Sequence, residues 1–380
     1  MRPVTINPET LLAPHLRALQ GYTPIVPPSV LAQRLGHPQE QIIKLDANEN
    51  LYGPPPAVRQ ALADALPVNI YPDPDQTAFR AAVGRYLGMA ASHIIGGAGA
   101  DEVIDLVVRA FVALGDAVID LPPTFGMYRW QADVAGARYV PVPRRADFSV
   151  DVAAVERAVR STPNAKLLFI ANPNNPDGSL LADEDLKRLL ALPIMVVLDE
   201  AYIDFSAHPG HARWVLEHEN LIVLRTFSKL AGLAGLRVGY GVFPEKLVPH
   251  LWKIKQPYTP NVAGEAAAIA ALSDPAYLRD VVARIVAERE RMRQLLMQIP
   301  GFYVFPSQAN FVLCRVTDSV RVNGGDPSWH PARRIKAALE QHGVLVRYFD
   351  KEGLRDCIRV SVGLPEHTDA LMRALEVILR

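Results

Sequence analysis

The chain has 380 residues, enough for two domains, and 49% of them are hydrophobic. Its 40 lysines and arginines balance 40 aspartates and glutamates, so the net charge gives no electrostatic case for a nucleic acid or an anionic membrane as partner. Cys314 and Cys357 are too few for a disulfide framework. The N-terminus has no continuous apolar signal core, and no stretch approaches the ~20 apolar residues of a membrane span. These features predict a cytoplasmic protein that acts on small molecules.

Metal catalysis is not expected from the histidines. The chain has ten of them, scattered among probable surface segments, and no H-x-x-x-H or H-E-x-x-H pair occurs.

A glycine-rich segment, residues 95–102, leads into an apolar pattern over 103–112 that is typical of a helix packed in a core. The backbone N–H groups of Gly99, Ala100 and Asp101 at such a helix start favour an anion such as phosphate. The spacing is neither that of a dinucleotide-binding G-x-G-x-x-G nor that of a P-loop, so a nucleotide is the weaker interpretation.

The next two apolar runs are typical of interior strands, and each is followed by a loop with candidate site residues. After 117–121 comes the loop 122–128, in which Phe125 either stacks on a flat ligand ring or simply fills the core. After 167–171 comes the loop 172–178, where two prolines hold Asn174 and Asn175 at defined positions. One of these amides could donate to a ligand oxygen, although such loops are often ordinary turns.

Two further interior strands end in chemically distinctive residues. The run 194–198 stops at Asp199, with Tyr202 three residues on. A buried Asp there either keeps a cofactor's ring nitrogen protonated or caps the following helix. The run 221–224 precedes the turn 226–237, which carries Lys229.

In these apolar surroundings Lys229 is either a nucleophilic amine or a solvated charge. A nucleophilic amine attacks an aldehyde to form a Schiff base, and Thr226, Ser228 and Arg237 add donors that suit a phosphate. Together these residues predict pyridoxal 5'-phosphate as the cofactor.

The C-terminal third predicts a smaller α+β domain. Apolar residues recur at helical spacing over 275–299, and strands are expected around 302–305, 310–316, 343–348 and 357–362, with helices over 331–342 and 366–379. Arg347 and Arg359 lie in two of these strands, where they either bind carboxylate and phosphate groups or stand exposed at a sheet edge.

The chain resembles the fold-type I pyridoxal-phosphate aminotransferases, and specifically the histidinol-phosphate aminotransferase family, nearly from end to end. The resemblance is carried by residues 46–54, which read Asp-Ala-Asn-Glu-Asn-Leu-Tyr-Gly-Pro, and by segments 71–76, 97–102, 123–128, 172–178, 198–205, 226–237 and 358–363. It implies an α/β fold with a mainly parallel, seven-stranded sheet covered by helices on both faces, plus the smaller α+β domain. The expected boundaries are 1–45 for an N-terminal arm and part of the small domain, 46–270 for the large cofactor domain and 271–380 for the small domain.

The resemblance also implies a role for each site residue. Lys229 is implied to bind the cofactor aldehyde and carry the proton, and Asp199 to pair with the ring nitrogen. The remaining implied cofactor contacts are Asn175 and Tyr202 to the ring hydroxyl, Phe125 stacked on the ring, Ser228, Thr226, Arg237 and the amides of Gly99, Ala100 and Asp101 around the phosphate, and Tyr52 to the phosphate of a partner subunit, which requires a homodimer. The implied substrate-binding residues are Tyr22, Asn310, Arg347 and Arg359.

The implied reaction is transamination between histidinol phosphate and 2-oxoglutarate, which yields glutamate in histidine biosynthesis. An aromatic amino acid transaminase and a threonine-phosphate decarboxylase are alternatives with the same cofactor machinery. The chain departs from the family at Ala98, Ala100, Phe125 and Asp177, where the family commonly has Asn, Ser or Ala, Tyr and Thr. Of these, Ala100 falls within the family's range, and Asp177 adds a negative charge to the predicted cofactor loop.

Overall fold

The computed structural model describes residues 6–19, 21, 27–36, 38–64 and 67–379. Within these ranges the strands form a seven-stranded and a five-stranded sheet. The strands are β1 (Ile43–Leu45), β2 (Ile94–Gly97), β3 (Ala117–Asp120), β4 (Arg138–Pro141), β5 (Ala165–Ala171), β6 (Met195–Asp199), β7 (Leu221–Thr226), β8 (Gly239–Val242), β9 (Phe302–Val304), β10 (Phe311–Val316), β11 (Val344–Tyr348) and β12 (Cys357–Ser361).

Helices alternate with the strands through most of the described chain. They are α1 (Pro14–Arg17), α2 (Pro28–Leu35), α3 (Pro56–Ala63), α4 (Thr77–Leu87), α5 (Ala100–Phe111), α6 (Met127–Val134), α7 (Val152–Ser161), α8 (Asp183–Leu190), α9 (Val248–Trp252), α10 (Val262–Leu272), α11 (Pro275–Met297), α12 (Pro331–Gln341) and α13 (Pro365–Ile378). In the part of the chain that the structure describes, none of these helices has the length and apolarity needed to span a membrane.

The large sheet has the strand order β2-β8-β7-β6-β5-β3-β4 and is mainly parallel, as predicted. Only β8 runs against its neighbours β7 and β2. Successive residues of β5 point to opposite faces: Leu168 and Ile170 join one hydrophobic core, whereas Leu167 and Phe169 join another. Both faces of the sheet are therefore covered, which explains why its strands are continuous apolar runs.

The parallel arrangement also determines where polar residues gather. Strands β3, β5, β6 and β7 are mutually parallel neighbours, so their carboxyl ends open on the same edge of the sheet. Asp120, Asp199 and Thr226 are the last residues of three of these strands. The loops that follow bring distant parts of the sequence to this edge.

The small sheet has the order β1-β11-β12-β10-β9. Strand β1, near the N-terminus, pairs in parallel with β11, so the segment just before residue 46 joins a sheet built mostly from the C-terminal third. Helix α11 contributes Ile285 and Met292 to the core of this sheet, while α13 contributes Leu371. The predicted elements of this region are present, with ends shifted by one or two residues.

Candidate active site

A cavity of about 1020 Å³ opens at the carboxyl edge of the large sheet and is also lined by residues of the small sheet. It brings together most of the predicted site residues. Those that line it are Ala100, Asp101, Phe125, Asn175, Asp199, Tyr202, Thr226, Ser228, Lys229, Arg237, Arg347 and Arg359. Segments far apart in the sequence therefore share one chamber.

Lys229 lies in the turn after β7 and is enclosed by protein rather than extended into bulk solvent. Its Nζ donates to the carbonyl oxygen of Ala47 at 3.1 Å and lies 6.0 Å from the ring centroid of Tyr202. Burial, with a further contribution from the positive charge of Arg359, lowers the pKa of Lys229 to about 8. A neutral amine is therefore accessible near physiological pH, which favours a nucleophilic amine over a merely solvated charge.

Asp199 ends β6, the strand beside β7, and is only 5% exposed. Its Oδ2 accepts a hydrogen bond from the Tyr128 hydroxyl at 2.6 Å, and its Oδ1 accepts from the Ala201 backbone N–H at 3.0 Å. The hydrogen bond from the Ala201 N–H resembles the helix-cap alternative, whereas the bond from Tyr128 joins two residues that line the cavity. Burial raises the pKa of Asp199 to about 6 despite these donors, so the carboxylate gains from a cationic partner.

The end of the cavity beside α5 has the donors that a phosphate requires. Ser228 and Thr226 lie in the turn after β7, where the Ser228 N–H donates to Thr226 Oγ1 at 3.1 Å. Arg237 reaches the start of α5 and pairs with Asp101 at 2.8 Å. Gly99 precedes α5 with φ +79°, and a Cβ there would lie 2.5 Å from Arg237 Nη2. Gly99 itself does not line the cavity, but its lack of a side chain lets the arginine approach the helix start.

The structure separates the two asparagines of the 172–178 loop. Asn174 is fully buried and accepts from Thr124 Oγ1 at 2.8 Å, whereas Asn175 lines the cavity and accepts from Arg359 Nη1 at 2.6 Å. Asn175 is thus the amide available to a ligand. Asp177 is 2% exposed, bonds Asn174 and the Ser179 N–H, and does not line the cavity. Its charge therefore lies within the predicted cofactor loop, in the loop's interior, and does not face the cavity.

The two strand arginines are direct neighbours. Arg347 on β11 pairs in register with Arg359 on β12, and each guanidinium carbon lies 5.6 Å from the ring centroid of Phe349. Arg359 is 5% exposed on a central strand and donates to the Asp46 carbonyl at 2.7 Å. The alternative of two exposed edge residues is therefore wrong for Arg359. Like charges facing each other across strands are unfavourable, so the pair suits an anionic ligand.

Two further predicted residues of the described chain stand elsewhere. Asn310 is fully buried and donates to the Asn48 carbonyl at 3.0 Å, so it supports the loop behind the cavity instead of lining it. Tyr52 packs against the core of the small sheet, with the Arg284 guanidinium 6.0 Å from its ring centroid. It is not part of this chain's cavity. Tyr22 lies outside the described residues.

Sequence reasoning assigned no role to several residues that the structure brings to the site. Tyr128 stacks on Phe169 at 4.8 Å, meets Phe125 edge-on at 5.6 Å and bonds Asp199. Asn48 donates to the Tyr202 hydroxyl at 3.1 Å. Both residues lie in segments that carry the family resemblance, which was the available signal. Their partners, however, are distant in sequence and were not predictable from local pattern.

One group outside the cavity has the composition of a metal site. The ligand atoms of Asp183, His208 and His211 lie within 4.8 Å of one another. The two histidines are three residues apart, a spacing that differs from both H-x-x-x-H and H-E-x-x-H. His211 bridges Glu200 at 2.9 Å and Asp183 at 2.8 Å. Burial opposes its charged form, but these hydrogen bonds and charges raise the pKa of His211 above its ordinary value. A protonated imidazole therefore explains the cluster.

The residues present fit pyridoxal phosphate. Lys229, an amine with a lowered pKa, and Asp199, an acid that favours a cationic partner, line one cavity. The same cavity is lined by the Phe125 ring, the Asn175 amide and the phosphate donors Thr226, Ser228 and Arg237. The fold and the site together define the class of pyridoxal-phosphate-dependent enzymes built on a mainly parallel sheet.

Comparison with known proteins narrows this class. The model of the family "Aminotransferase class I and II" matches residues 40–377. A histidinol-phosphate aminotransferase of Roseiflexus castenholzii is 53% identical over 371 residues, covering 96% of this chain and 97% of that protein. The chloroplastic histidinol-phosphate aminotransferase of Nicotiana plumbaginifolia is 48% identical, covering 98% of this chain and 87% of that protein.

Solved structures agree. The crystal structure of histidinol-phosphate aminotransferase from Sinorhizobium meliloti in complex with pyridoxal-5'-phosphate superposes with a TM-score of 0.86 at 32% identity, covering 97% of each chain. The chain therefore belongs to the class I and II aminotransferases and, within them, to the histidinol-phosphate aminotransferase family.

Proposed function

We propose that this chain is a pyridoxal-phosphate-dependent transaminase that converts histidinol phosphate and 2-oxoglutarate to imidazole acetol phosphate and glutamate, a step of histidine biosynthesis. The observation that carries the proposal is the convergence of Lys229, Asp199 and the Arg347–Arg359 pair on one cavity. The family assignment supports the choice of substrate. When bound, the cofactor supplies an aldehyde that exchanges amino groups and a ring that accepts electrons.

The residues around the cofactor hold and orient it. Asp199 provides the anion that keeps a ring nitrogen protonated, and Tyr128 and the Ala201 N–H hold this carboxylate in place. Asn175 and Tyr202 offer polar groups for the ring hydroxyl. Phe125 lies against Tyr128 and can stack on the ring. Ser228, Thr226, Arg237 and the start of α5 hold the phosphate.

Lys229 is the acid–base residue. Its pKa of about 8 leaves a useful fraction of neutral amine at physiological pH, so its Nζ can take the proton from the substrate α-carbon and return it. The Ala47 carbonyl, 3.1 Å from Nζ, directs the amine.

The arginine pair explains how one site accepts two amino donors in turn. Glutamate presents two carboxylates, whereas histidinol phosphate presents a phosphate and an imidazole. A guanidinium binds either kind of oxyanion through two parallel hydrogen bonds. We therefore assign Arg359, which is buried and oriented by Asp46 and Asn175, to the α-carboxylate, and Arg347 to the carboxylate or phosphate at the other end.

The test is amino-group exchange with Lys229→Ala. We expect the variant to retain its fold and lose turnover of histidinol phosphate with 2-oxoglutarate by several orders of magnitude, because both covalent attachment and proton transfer are removed. Circular dichroism controls for folding. Near-normal exchange in a folded variant would refute the mechanism. For wild-type enzyme, release of carbon dioxide from threonine phosphate or preference for aromatic amino acids would favour the alternatives.

We also propose a homodimer in the cytoplasm. Tyr52 lies outside this chain's cavity, which agrees with a role toward a partner's cofactor. Val68, Ile70 and Tyr71 are more than half exposed, and Tyr71 stacks on Tyr258 at 4.4 Å; such an apolar patch suits an interface. Sedimentation equilibrium that returned a monomer would exclude the dimer. Both cysteines are buried and free, in agreement with a reducing compartment.

A further inference from the structure

The cavity contains more positive charge than the arginine pair alone. Lys351 follows β11 on the small-sheet side, and Arg129 lies in the first turn of α6 on the large-sheet side; both line the cavity with Arg347. A Cβ placed on Gly126 would lie 3.6 Å from Lys351 Nζ, so this ammonium reaches across to the start of α6. Lys351, Arg347 and Arg129 therefore bring three positive charges to the same cavity from its two sides.

These charges are poorly compensated within the described protein. The side chains of Lys351 and Arg347 have no hydrogen bond or ion pair to any residue that the structure describes. Arg129 has one loose ion pair, to Asp133 at 3.4 Å, and its guanidinium lies 4.9 Å from the ring centroid of Tyr139. Asp350, the acid beside Lys351 in sequence, is already paired with Arg355 at 2.9 Å. Asp350 therefore does not neutralise Lys351.

Asp120 lines the cavity together with the exposed Glu352, and Asp120 is the acid whose charge acts on Lys351. It is 2% exposed, and both its oxygens already accept hydrogen bonds, from the Leu121 N–H at 2.8 Å and the Tyr139 hydroxyl at 2.9 Å. Partial burial and then the charges of Arg347 and Arg129 lower the pKa of Lys351, and Asp120 only opposes this. The repulsion of Lys351 by the two arginines is therefore larger than its attraction to Asp120.

We propose that Lys351 and Arg129, together with Arg347, form a phosphate subsite that selects the phosphorylated amino donor. This subsite rests on the proposed function. It adds Lys351 and Arg129, which the sequence motifs did not indicate, to Arg347. A phosphate monoester carries close to two negative charges at neutral pH and three acceptor oxygens. A carboxylate carries one charge and two oxygens. A cluster of three cations therefore matches the phosphate and exceeds what the side-chain carboxylate of glutamate requires.

The positions of the two new residues add a structural consequence. Because Arg129 comes from the large-sheet side and Lys351 from the small-sheet side, a bound phosphate bridges the two walls and replaces their mutual repulsion with attraction.

The test compares Lys351→Gln and Arg129→Gln with the wild-type holoenzyme. We expect KM for histidinol phosphate to rise about 10-fold or more, with a smaller change in kcat, because each substitution removes a charge-assisted hydrogen bond that binds the substrate before and during reaction. The glutamate half-reaction should keep its KM within about 2-fold. Competitive inhibition of that half-reaction by inorganic phosphate should weaken in parallel.

Arg355→Gln is the matched control, since it removes a positive charge from the same segment while that charge is paired with Asp350. It should leave both KM values and phosphate inhibition near wild type. Lys351→Arg should restore histidinol phosphate binding. Equal KM changes for both donors, or unchanged phosphate inhibition in both Gln variants, would overturn the subsite.

Failure of the subsite is distinguishable from failure of the proposed function. If the wild-type enzyme did not use histidinol phosphate at all, the proposed function would be wrong. Inhibition by inorganic phosphate would still report on the three cations: loss of inhibition in the Gln variants, with Arg355→Gln unaffected, would support an anion subsite, and its persistence would refute one.

Discussion

Tyr128→Phe tests the least expected contact of the site, the 2.6 Å hydrogen bond from the Tyr128 hydroxyl to the buried carboxylate of Asp199. The substitution removes one oxygen and leaves the ring, with its stack on Phe169, in place. A hydrogen bond to a charged group contributes about 1.5–3 kcal/mol. Because it stabilises only the anion, its loss should raise the pKa of Asp199 by about 1 to 2.

The sign of the pH dependence follows from the raised pKa. In the cofactor-free protein the pKa of Asp199 is about 6, above the ordinary value of about 3.9. The folded state therefore holds a proton that the unfolded state has lost, and stability falls as pH rises from about 4 to about 6. In Tyr128→Phe this fall should extend to higher pH. The added destabilisation should be small at pH 5 and approach about 1.5–3 kcal/mol at pH 8.5.

Two measurements check this expectation. Urea unfolding of the cofactor-free variant at pH 5 and pH 8.5 gives the difference in the free energy of unfolding. Titration with pyridoxal phosphate at pH 6.5 should show affinity weakened by about 3- to 25-fold, since the carboxylate that we propose to pair with the ring nitrogen is then mostly protonated in the variant and mostly ionised in the wild type.

Tyr139→Phe is the matched control. It removes a similar bond, from the Tyr139 hydroxyl to Asp120 at 2.9 Å, and burial also raises the pKa of Asp120 to about 6. It should therefore change stability with the same pH dependence but leave cofactor affinity near wild type. If Tyr128→Phe lost the same stability at both pH values, or bound the cofactor as tightly as Tyr139→Phe does, the reasoning would be refuted.

Two further predictions concern other parts of the molecule. Arg359→Ala should lower kcat/KM for glutamate by about 100-fold or more, because a buried guanidinium that binds a carboxylate contributes about 2–5 kcal/mol; steady-state kinetics with unchanged glutamate parameters would remove Arg359 from the carboxylate site. His211→Asn should lose about 1–3 kcal/mol of stability at pH 6 and less at pH 9. The pKa of His211 is raised by its bonds to Glu200 and Asp183, so the stabilisation is complete below the unfolded pKa and lost as pH rises through the folded one. Urea unfolding that showed a loss growing with pH would contradict this assignment.

Local pattern was sufficient to predict the large sheet and the strand ends that carry its chemistry. Continuous apolar runs indicated buried parallel strands, and Asp199 and Lys229 were predicted at their carboxyl ends, where the structure has them. This succeeded because burial on both faces and the direction of a parallel strand both follow from a short stretch of sequence.

Tertiary structure decided which side chains meet. Tyr128 and Asp199 are 71 residues apart, Lys229 and Ala47 are 182 apart, and Arg359 and Asp46 are 313 apart. The structure also selected Asn175 over Asn174 and placed Asp177 in the interior of its loop. It brought Arg129 of α6 and Lys351 of the loop after β11 to one cavity. Hydrogen bonding and electrostatic repulsion depend on distances of a few ångströms, and such distances between remote segments exist only once both sheets have packed.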